Sequence, residues 1–242
     1  NTGIGATSAN FWGGFNTAVG HSSLISNLTG FSNTAMGVYS ASSNTIGFGN
    51  VAIGTFANSG SNPYTSVSIG YFAGSNNNGT NNTFIGNGSG NTNTNGVRNT
   101  TLGANANVIG ATLVNATAIG ANATVAQDNS LVLGSAANVG IGINTPNTKL
   151  HIDGGTDANI GNPISGYLLL GDAGAANLVL DDNEILARSN GAAATLYLQY
   201  QSGNVVIGAN TAGSHKLSVN GDAAKVGGGS WAVYSDRRLK KD

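Results

Sequence analysis

An apolar residue followed by glycine recurs along the first half of the chain, at Val19-Gly20, Met36-Gly37, Ile53-Gly54, Ile69-Gly70, Ile85-Gly86, Leu102-Gly103, Ile119-Gly120 and Leu133-Gly134. The glycines are spaced 17, 17, 16, 16, 17, 17 and 14 residues apart. A unit this short cannot bury an apolar face by itself. It must stack on its own copies, which is the physics of a solenoid.

The register extends beyond the pair. Four residues before each glycine stand Asn16, Asn33, Asn50, Ser66, Asn82, Asn99, Ala116 and Ser130. Three residues after it stand Ser23, Ser40, Ala57, Ala73, Ser89, Ala106, Ala123 and Ala137, all small. Segments such as Asn99-Thr100-Thr101-Leu102-Gly103 read as short strands, because threonine and aliphatic residues suit a pleated surface. The glycine is expected to permit a turn and the small residue to let backbones approach. Asn-Gly pairs beginning at Asn78, Asn87 and Asn95 mark expected positive-φ turns. No stretch reads as a helix of useful length.

Aromatic residues divide by register. Tyr39, Phe56 and Phe72 each follow the repeat glycine by two positions, so stacking should align them for core or subunit packing. Phe11, Trp12, Phe15, Tyr64 and Tyr71 read as less regular. Trp12, Tyr64 and Tyr71 are therefore the candidate receptor-binding residues.

Charge limits the function classes. Residues 1–127 contain no Asp, Glu or Lys, and Arg98 is their only formal charge. The net charge is −1, without a basic stripe interleaved with aromatics, so nucleic acid is not an expected partner. There is no cysteine for a disulfide or thiolate metal site. No apolar run approaches membrane-spanning length, so membrane insertion is not expected either. The start at Asn1, without Met or a signal-like segment, reads as a fragment or processed product.

From about Asp128 ordinary charges return, together with a longer duplication. "NVGIGINTPNTKLHIDG" at 138–154 parallels "NVVIGANTAGSHKLSVNG" at 204–221, each copy reading as strand, turn and strand. Between them "GYLLLG", "NLVLDDNEILAR" and "ATLYLQY" read as further strands separated by Gly, Asn and Asp turns. The compositional break at about Leu150 to Gly155 is the expected boundary between compact units.

Few residues could carry chemistry. Asp181, Asp182 and Glu184 form the one close acidic cluster, in a hairpin-like turn lacking a calcium ligand pattern. His21, His151 and His215 are isolated, so no metal and no cofactor is expected. The first half has no carboxylate pair for glycoside hydrolysis. The ending "GGGSWAVYSDRRLKKD" holds four of the nine Lys and Arg residues in its last six positions. There Ser235 with Lys240 or Lys241 could make a hydroxyl and amine pair.

That ending resembles the junction before the C-terminal intramolecular chaperone of endosialidase-type phage tail spikes and tail fibres, through Ser235, Asp236, Arg238, Leu239 and Lys240. "NVGIGINTPNTKLHIDG" is similar to elements of tail-fibre-domain proteins of phages and Bacteroidota-type bacteria. "NATAIGANATV" at 115–125 resembles the head repeats of trimeric autotransporter adhesins. These resemblances imply a homotrimer, self-cleaved between Ser235 and Asp236 with Lys240 as base. They make that cut a single turnover needing the domain downstream of the junction, and the fibre itself no enzyme.

The expected fold is therefore all-β: a trimeric β-solenoid or β-roll of 14–17-residue repeats over 1–137, followed by a duplicated, β-rich trimeric fibre domain over 138–226. The junction occupies 227–242. The expected role is an extracellular fibre segment, on a virion tail or a cell-surface appendage, that attaches to a cell-surface glycan or protein receptor. Other tail or surface-apparatus proteins would be its neighbours, and a bacterial adhesin or filament subunit is the alternative.

Overall fold

The computed structural model describes residues 2–5, 13–60 and 62–198. Among them every regular element is a β-strand. The chain divides into two compact units, Asn1–Gly155 and Thr156–Asp242.

The first unit is a β-solenoid. Its strands are β1 (Thr2–Ile4), β2 (Thr17–Val19), β3 (Thr34–Met36), β4 (Val51–Ile53), β5 (Val67–Ile69), β6 (Thr83–Ile85), β7 (Thr100–Leu102), β8 (Asn107–Val108), β9 (Thr117–Ile119), β10 (Thr124–Val125), β11 (Leu131–Leu133), β12 (Val139–Ile141) and β13 (Leu150–Ile152). Nine of these form one parallel sheet in the order β1-β2-β3-β4-β5-β6-β7-β9-β11. Equivalent residues pair throughout, for example Ala35 with Ala52 and Ile53 with Ile69. β8 pairs with β10 and β12 with β13, both in parallel.

Strand alternation explains which residues lie inside. In β2 to β7 and in β9 the middle residue points inward: Ala18, Ala35, Ala52, Ser68, Phe84, Thr101 and Ala118 are all buried. Such small residues define a narrow interior. Phe84 fits because its neighbours from the opposite wall have no side chains: a Cβ on Gly74 or Gly90 would lie 2.7 or 2.2 Å from the phenyl ring.

The repeat glycine has a firmer reason than turn formation. Gly54 has φ +127°, and a Cβ there would come within 2.5 Å of the Gly70 carbonyl oxygen in the next coil. Gly20, Gly37, Gly70, Gly86 and Gly103 repeat this arrangement. Seven of the eight small residues three positions later are buried, Ala137 being the exposed one.

The Asn-Gly expectation requires correction at two of its three positions. Gly88 has φ +62°, but Gly79 and Gly96 do not lie in the positive-φ region. Close approach selects them instead: a Cβ would lie 1.8 Å from the Gly96 oxygen at Gly79, and 2.1 Å from Asn93 Oδ1 at Gly96.

The second unit contains β14 (Leu168–Gly171), β15 (Ala176–Leu180), β16 (Ile185–Ser189) and β17 (Ala192–Ala193) in one antiparallel sheet. Its core holds Val179 and, unusually, Arg188, which is 1% exposed. The guanidinium donates to Asn177 Oδ1 at 2.8 Å, to the carbonyls of Asn159, Asn162 and Pro163 at 2.9, 2.7 and 2.7 Å, and to Ser165 Oγ at 3.2 Å. Each guanidinium nitrogen thereby finds at least one neutral acceptor, which is how a buried charge is tolerated.

Candidate functional site

The surface of the solenoid is built from ladders, each a single repeat position copied from coil to coil. Their framework is a buried line of amides. Asn16 Oδ1 accepts the Asn33 N–H at 2.8 Å, Asn33 Oδ1 accepts that of Asn50 at 3.0 Å, and Asn50 Oδ1 accepts that of Ser66 at 3.0 Å. Ser66 Oγ continues to the Asn82 N–H at 3.2 Å, Asn82 Oδ1 to Asn99 at 2.8 Å, and Asn99 Oδ1 to Ala116 at 2.9 Å. The amide nitrogens brace the adjoining loop, as in Asn33 Nδ2 to Gly47 O at 2.9 Å and Asn82 Nδ2 to Gly96 O at 2.7 Å. Asparagine suits this position because one side chain offers both an acceptor along the stack and a donor across it.

A second amide ladder runs parallel to the first. Asn44 Nδ2 donates to Asn27 Oδ1 at 2.9 Å, and Asn93 Nδ2 to Asn77 Oδ1 at 2.8 Å.

Outside this framework the nine-stranded sheet presents two rows. The first strand position carries mainly Thr and Val. The last carries Ile4, Val19, Met36, Ile53, Ile69, Ile85, Leu102, Ile119 and Leu133. Met36 is 42% exposed and Leu102 44%. At about 4.8 Å per strand the row runs for roughly 38 Å. Sustained aliphatic exposure of this kind is uncommon on a monomer's surface and marks a place where something else packs.

Two aromatic ladders stand before and after the strands. Tyr39, Phe56 and Phe72 stack with ring centroids 5.2 and 4.8 Å apart and interplanar angles of 1° and 19°. His21 meets the edge of this stack through Tyr39 at 5.5 Å, and Tyr71 sits T-shaped on Phe72 at 4.5 Å and 85°. Phe31 and Phe48 stack at 4.8 Å and 5°, and Tyr64 follows Phe48 at 4.9 Å and 56°.

Two of the sequence-predicted binding residues thus belong to separate ladders. Tyr71 is 52% exposed and caps the first. Tyr64 is half-buried and not irregular at all: Phe31, Phe48 and Tyr64 each precede an amide-ladder residue, Asn33, Asn50 or Ser66, by two positions. Counting forward from the preceding glycine hides that regularity; counting back from the rung that follows, or from the glycine four residues beyond it, reveals it. Trp12, Ser235, Asp236 and Lys240 lie outside the described residues.

Ionisable groups are sparse in the described region. Asp181 is held below the usual carboxylate range, chiefly by the backbone N–H of Ala158, which meets Oδ2 at 2.8 Å. The N–H groups of Asn183 and Glu184 reach Oδ1 at 3.0 and 2.8 Å and act in the same direction. This carboxylate closes the β15–β16 turn onto the 157–159 segment. Among the described residues no three His, Asp or Glu side chains converge as a metal site would require. His21 Nδ1 is engaged by Ser22 Oγ at 3.0 Å, and His151 Nδ1 lies 3.3 Å from the Asn147 N–H.

Comparison of the chain with protein-family models, curated proteins and solved structures finds no significant match.

Proposed function

We propose that the chain is a structural and adhesive segment of a trimeric extracellular fibre, attaching to a cell-surface glycan or protein receptor. The observation that carries this reading is the aliphatic row from Ile4 to Leu133 on the outward face of the parallel sheet. Three copies turning that row toward a common axis would remove it from water in a closed, symmetric arrangement. The flanking aromatic ladders supply rigid apolar surface for a receptor, with Tyr71 the most open ring among them. Three copies of a weak site on one rigid rod would gain through avidity.

The resemblance of the chain end to tail-fibre junctions supports maturation by a cut between Ser235 and Asp236, with Lys240 as base, once the downstream domain is present. A virion tail fibre fits that resemblance best. The adhesin-like repeat at 115–125 favours the second reading, a bacterial surface adhesin or filament subunit.

Native mass spectrometry of the protein isolated from its source tests both assembly and processing. The expected result is a mass of three chains, each ending at Ser235. A monomer overturns the trimer, and intact chains running past Asp242 overturn the cut. On the assembly side, Met36→Lys with Ile53→Lys is expected to dissociate the trimer while each solenoid keeps its β-sheet circular dichroism. A trimer unaffected by two lysines in the row would remove the row from the interface.

A further inference from the structure

Five buried side-chain atoms among the described residues have no hydrogen-bond partner: Asn44 Oδ1, Asn58 Oδ1 and Nδ2, Ser68 Oγ and Asn77 Nδ2. All five fall in the three consecutive coils that begin at Gly37, Gly54 and Gly70. The rest of the solenoid satisfies its interior amides through the two ladders, so this concentration is specific to one stretch of the rod.

Asn58 and Ser68 are the informative pair. Asn58 belongs to an interior column with Leu24, Ala41, Gly74 and Gly90, each four residues after a repeat glycine. Each has a left-handed φ between 48° and 65°. The column's backbone bonds are equivalent, as in Ala41 N–H to Ala57 O at 2.9 Å, Asn58 N–H to Ala73 O at 2.8 Å and Gly74 N–H to Ser89 O at 2.8 Å. Ser68 belongs to the column of strand centres, which holds alanine at Ala18, Ala35, Ala52 and Ala118, and Phe84 and Thr101 in the two coils after Ser68.

The two columns touch. A Cβ on Gly74 would lie 2.4 Å from Ser68 Oγ in its own coil and 2.7 Å from the Phe84 ring in the next. One coil earlier, the same register places Asn58 between Ala52 and Ser68. The sequence therefore introduces an amide and a hydroxyl at adjoining positions of an interior lined by Ala52, Ala57 and Ala73, all fully buried. Leaving such groups unpaired costs about 1–3 kcal/mol each, and native interiors almost always satisfy them.

We infer that this coil binds an internal water molecule, held between the Asn58 amide and the Ser68 hydroxyl. The guest must both donate and accept, since Asn58 presents one acceptor and one donor group and Ser68 can serve as either. Water meets that requirement and is the usual partner of otherwise unsatisfied interior groups. A metal cation would have to face the Nδ2 donor and would lack an anionic ligand. The inference concerns the interior of one chain and is independent of how the copies assemble.

An atomic-resolution crystal structure of the full chain is the direct test. The expected result is an ordered solvent peak within hydrogen-bond distance of both Asn58 and Ser68. A direct Asn58–Ser68 bond, or no peak, overturns the inference. Thermal unfolding gives a second readout with opposite signs. Ser68→Ala restores the residue found at equivalent positions, so a dry, orphaned hydroxyl predicts a higher midpoint. A water-bridged hydroxyl predicts a midpoint lower by about 2–4 °C. Asn58→Ala, for which Ala41 is the precedent, completes a double-mutant cycle. Non-additivity is expected, and additive shifts argue that no shared guest links the pair.

Discussion

Asn33 Oδ1 receives two hydrogen bonds from Asn50, one from its backbone N–H and one from its Nδ2, both at 3.0 Å. A single acceptor thus fixes both the chain and the side chain of the next coil, while Asn33 Nδ2 secures Gly47 O at 2.9 Å. The amide ladder works as a register device: slipping a coil by one residue would leave several buried polar groups unpaired at once.

Asn33→Ala is accordingly expected to lower unfolding stability by about 1–3 kcal/mol, the usual effect of orphaning buried polar groups. Urea unfolding monitored by circular dichroism measures this as a lower midpoint. Asn76→Ala, at an exposed position whose Nδ2 makes one bond to Asn91 O at 2.7 Å, is expected to change the midpoint much less. Equal effects at the two positions would deny the ladder its special role.

The repeat glycines give a sharper contrast. Gly54→Ala places a side chain at φ +127° and against the Gly70 carbonyl, so backbone strain of about 1–3 kcal/mol adds to an overlap that stacking cannot relieve. Gly154→Ala, at φ +80° with no atom within 4 Å of the added Cβ, carries strain without overlap. Thermal midpoints should therefore fall much further for Gly54→Ala. A tolerated Gly54→Ala would mean that the coils can separate locally.

How much of this was legible beforehand depended on whether a physical constraint left a regular trace that stands out in the sequence. The first amide ladder did, because Asn16, Asn33, Asn50, Asn82 and Asn99 each precede the repeat glycine by four positions. The second left a trace that was overlooked: Asn27, Asn44, Asn77 and Asn93 each follow the repeat glycine by seven positions. They sit among many exposed asparagines that have no such duty, which hides the series. The regularity of Tyr64 was overlooked because it is fixed relative to the rung and glycine that follow it, not to the preceding glycine. The Asn-Gly pairs at 78–79 and 95–96 misled for a related reason: glycine can be selected by absence of a Cβ as well as by positive φ. Burial of Arg188 left no local trace at all, since the acceptors from Asn159 to Ser165 lie 23 to 29 residues earlier in the chain.

Phe84 offers a test of interior packing. Phe84→Ala opens a cavity and is expected to cost about 3–5 kcal/mol. Gly90→Ala alone should also destabilise, because its Cβ would lie 2.2 Å from the ring. Combined, the two changes relieve the clash and refill part of the space, so the double variant should be more stable than the sum of the singles predicts. Ala41, at an equivalent position with φ 48°, shows that this backbone conformation accepts alanine. Strict additivity in equilibrium unfolding would refute the compensation.

Arg188 should be as hard to replace by lysine as by methionine. Its planar guanidinium reaches five acceptors spread across Asn177 and the 159–165 segment, a pattern that a single ammonium with three donors cannot reproduce. Hydrogen exchange of the second unit provides the measurement. Faster exchange is expected across β15 and β16 in both Arg188→Lys and Arg188→Met. Full protection in the lysine variant would reduce the residue's role to carrying a positive charge.

Acid should loosen the same unit through Asp181. Its carboxylate is favoured in the folded state by N–H donors from Ala158, Asn183 and Glu184, so its folded pKa lies below the unfolded value of about 3.8. The unfolded chain therefore binds a proton first as pH falls. The stabilisation is fully present above that value and disappears as pH drops through the folded pKa. Asp181→Asn removes the differential titration, so the variant's stability should depend less steeply on pH below about 4, while at neutral pH it should be the less stable of the two. Thermal unfolding of both proteins between neutral and strongly acidic pH distinguishes these slopes. Parallel curves would mean that the turn between β15 and β16 does not depend on the charge of Asp181, and that its hydrogen bonds serve an amide equally well.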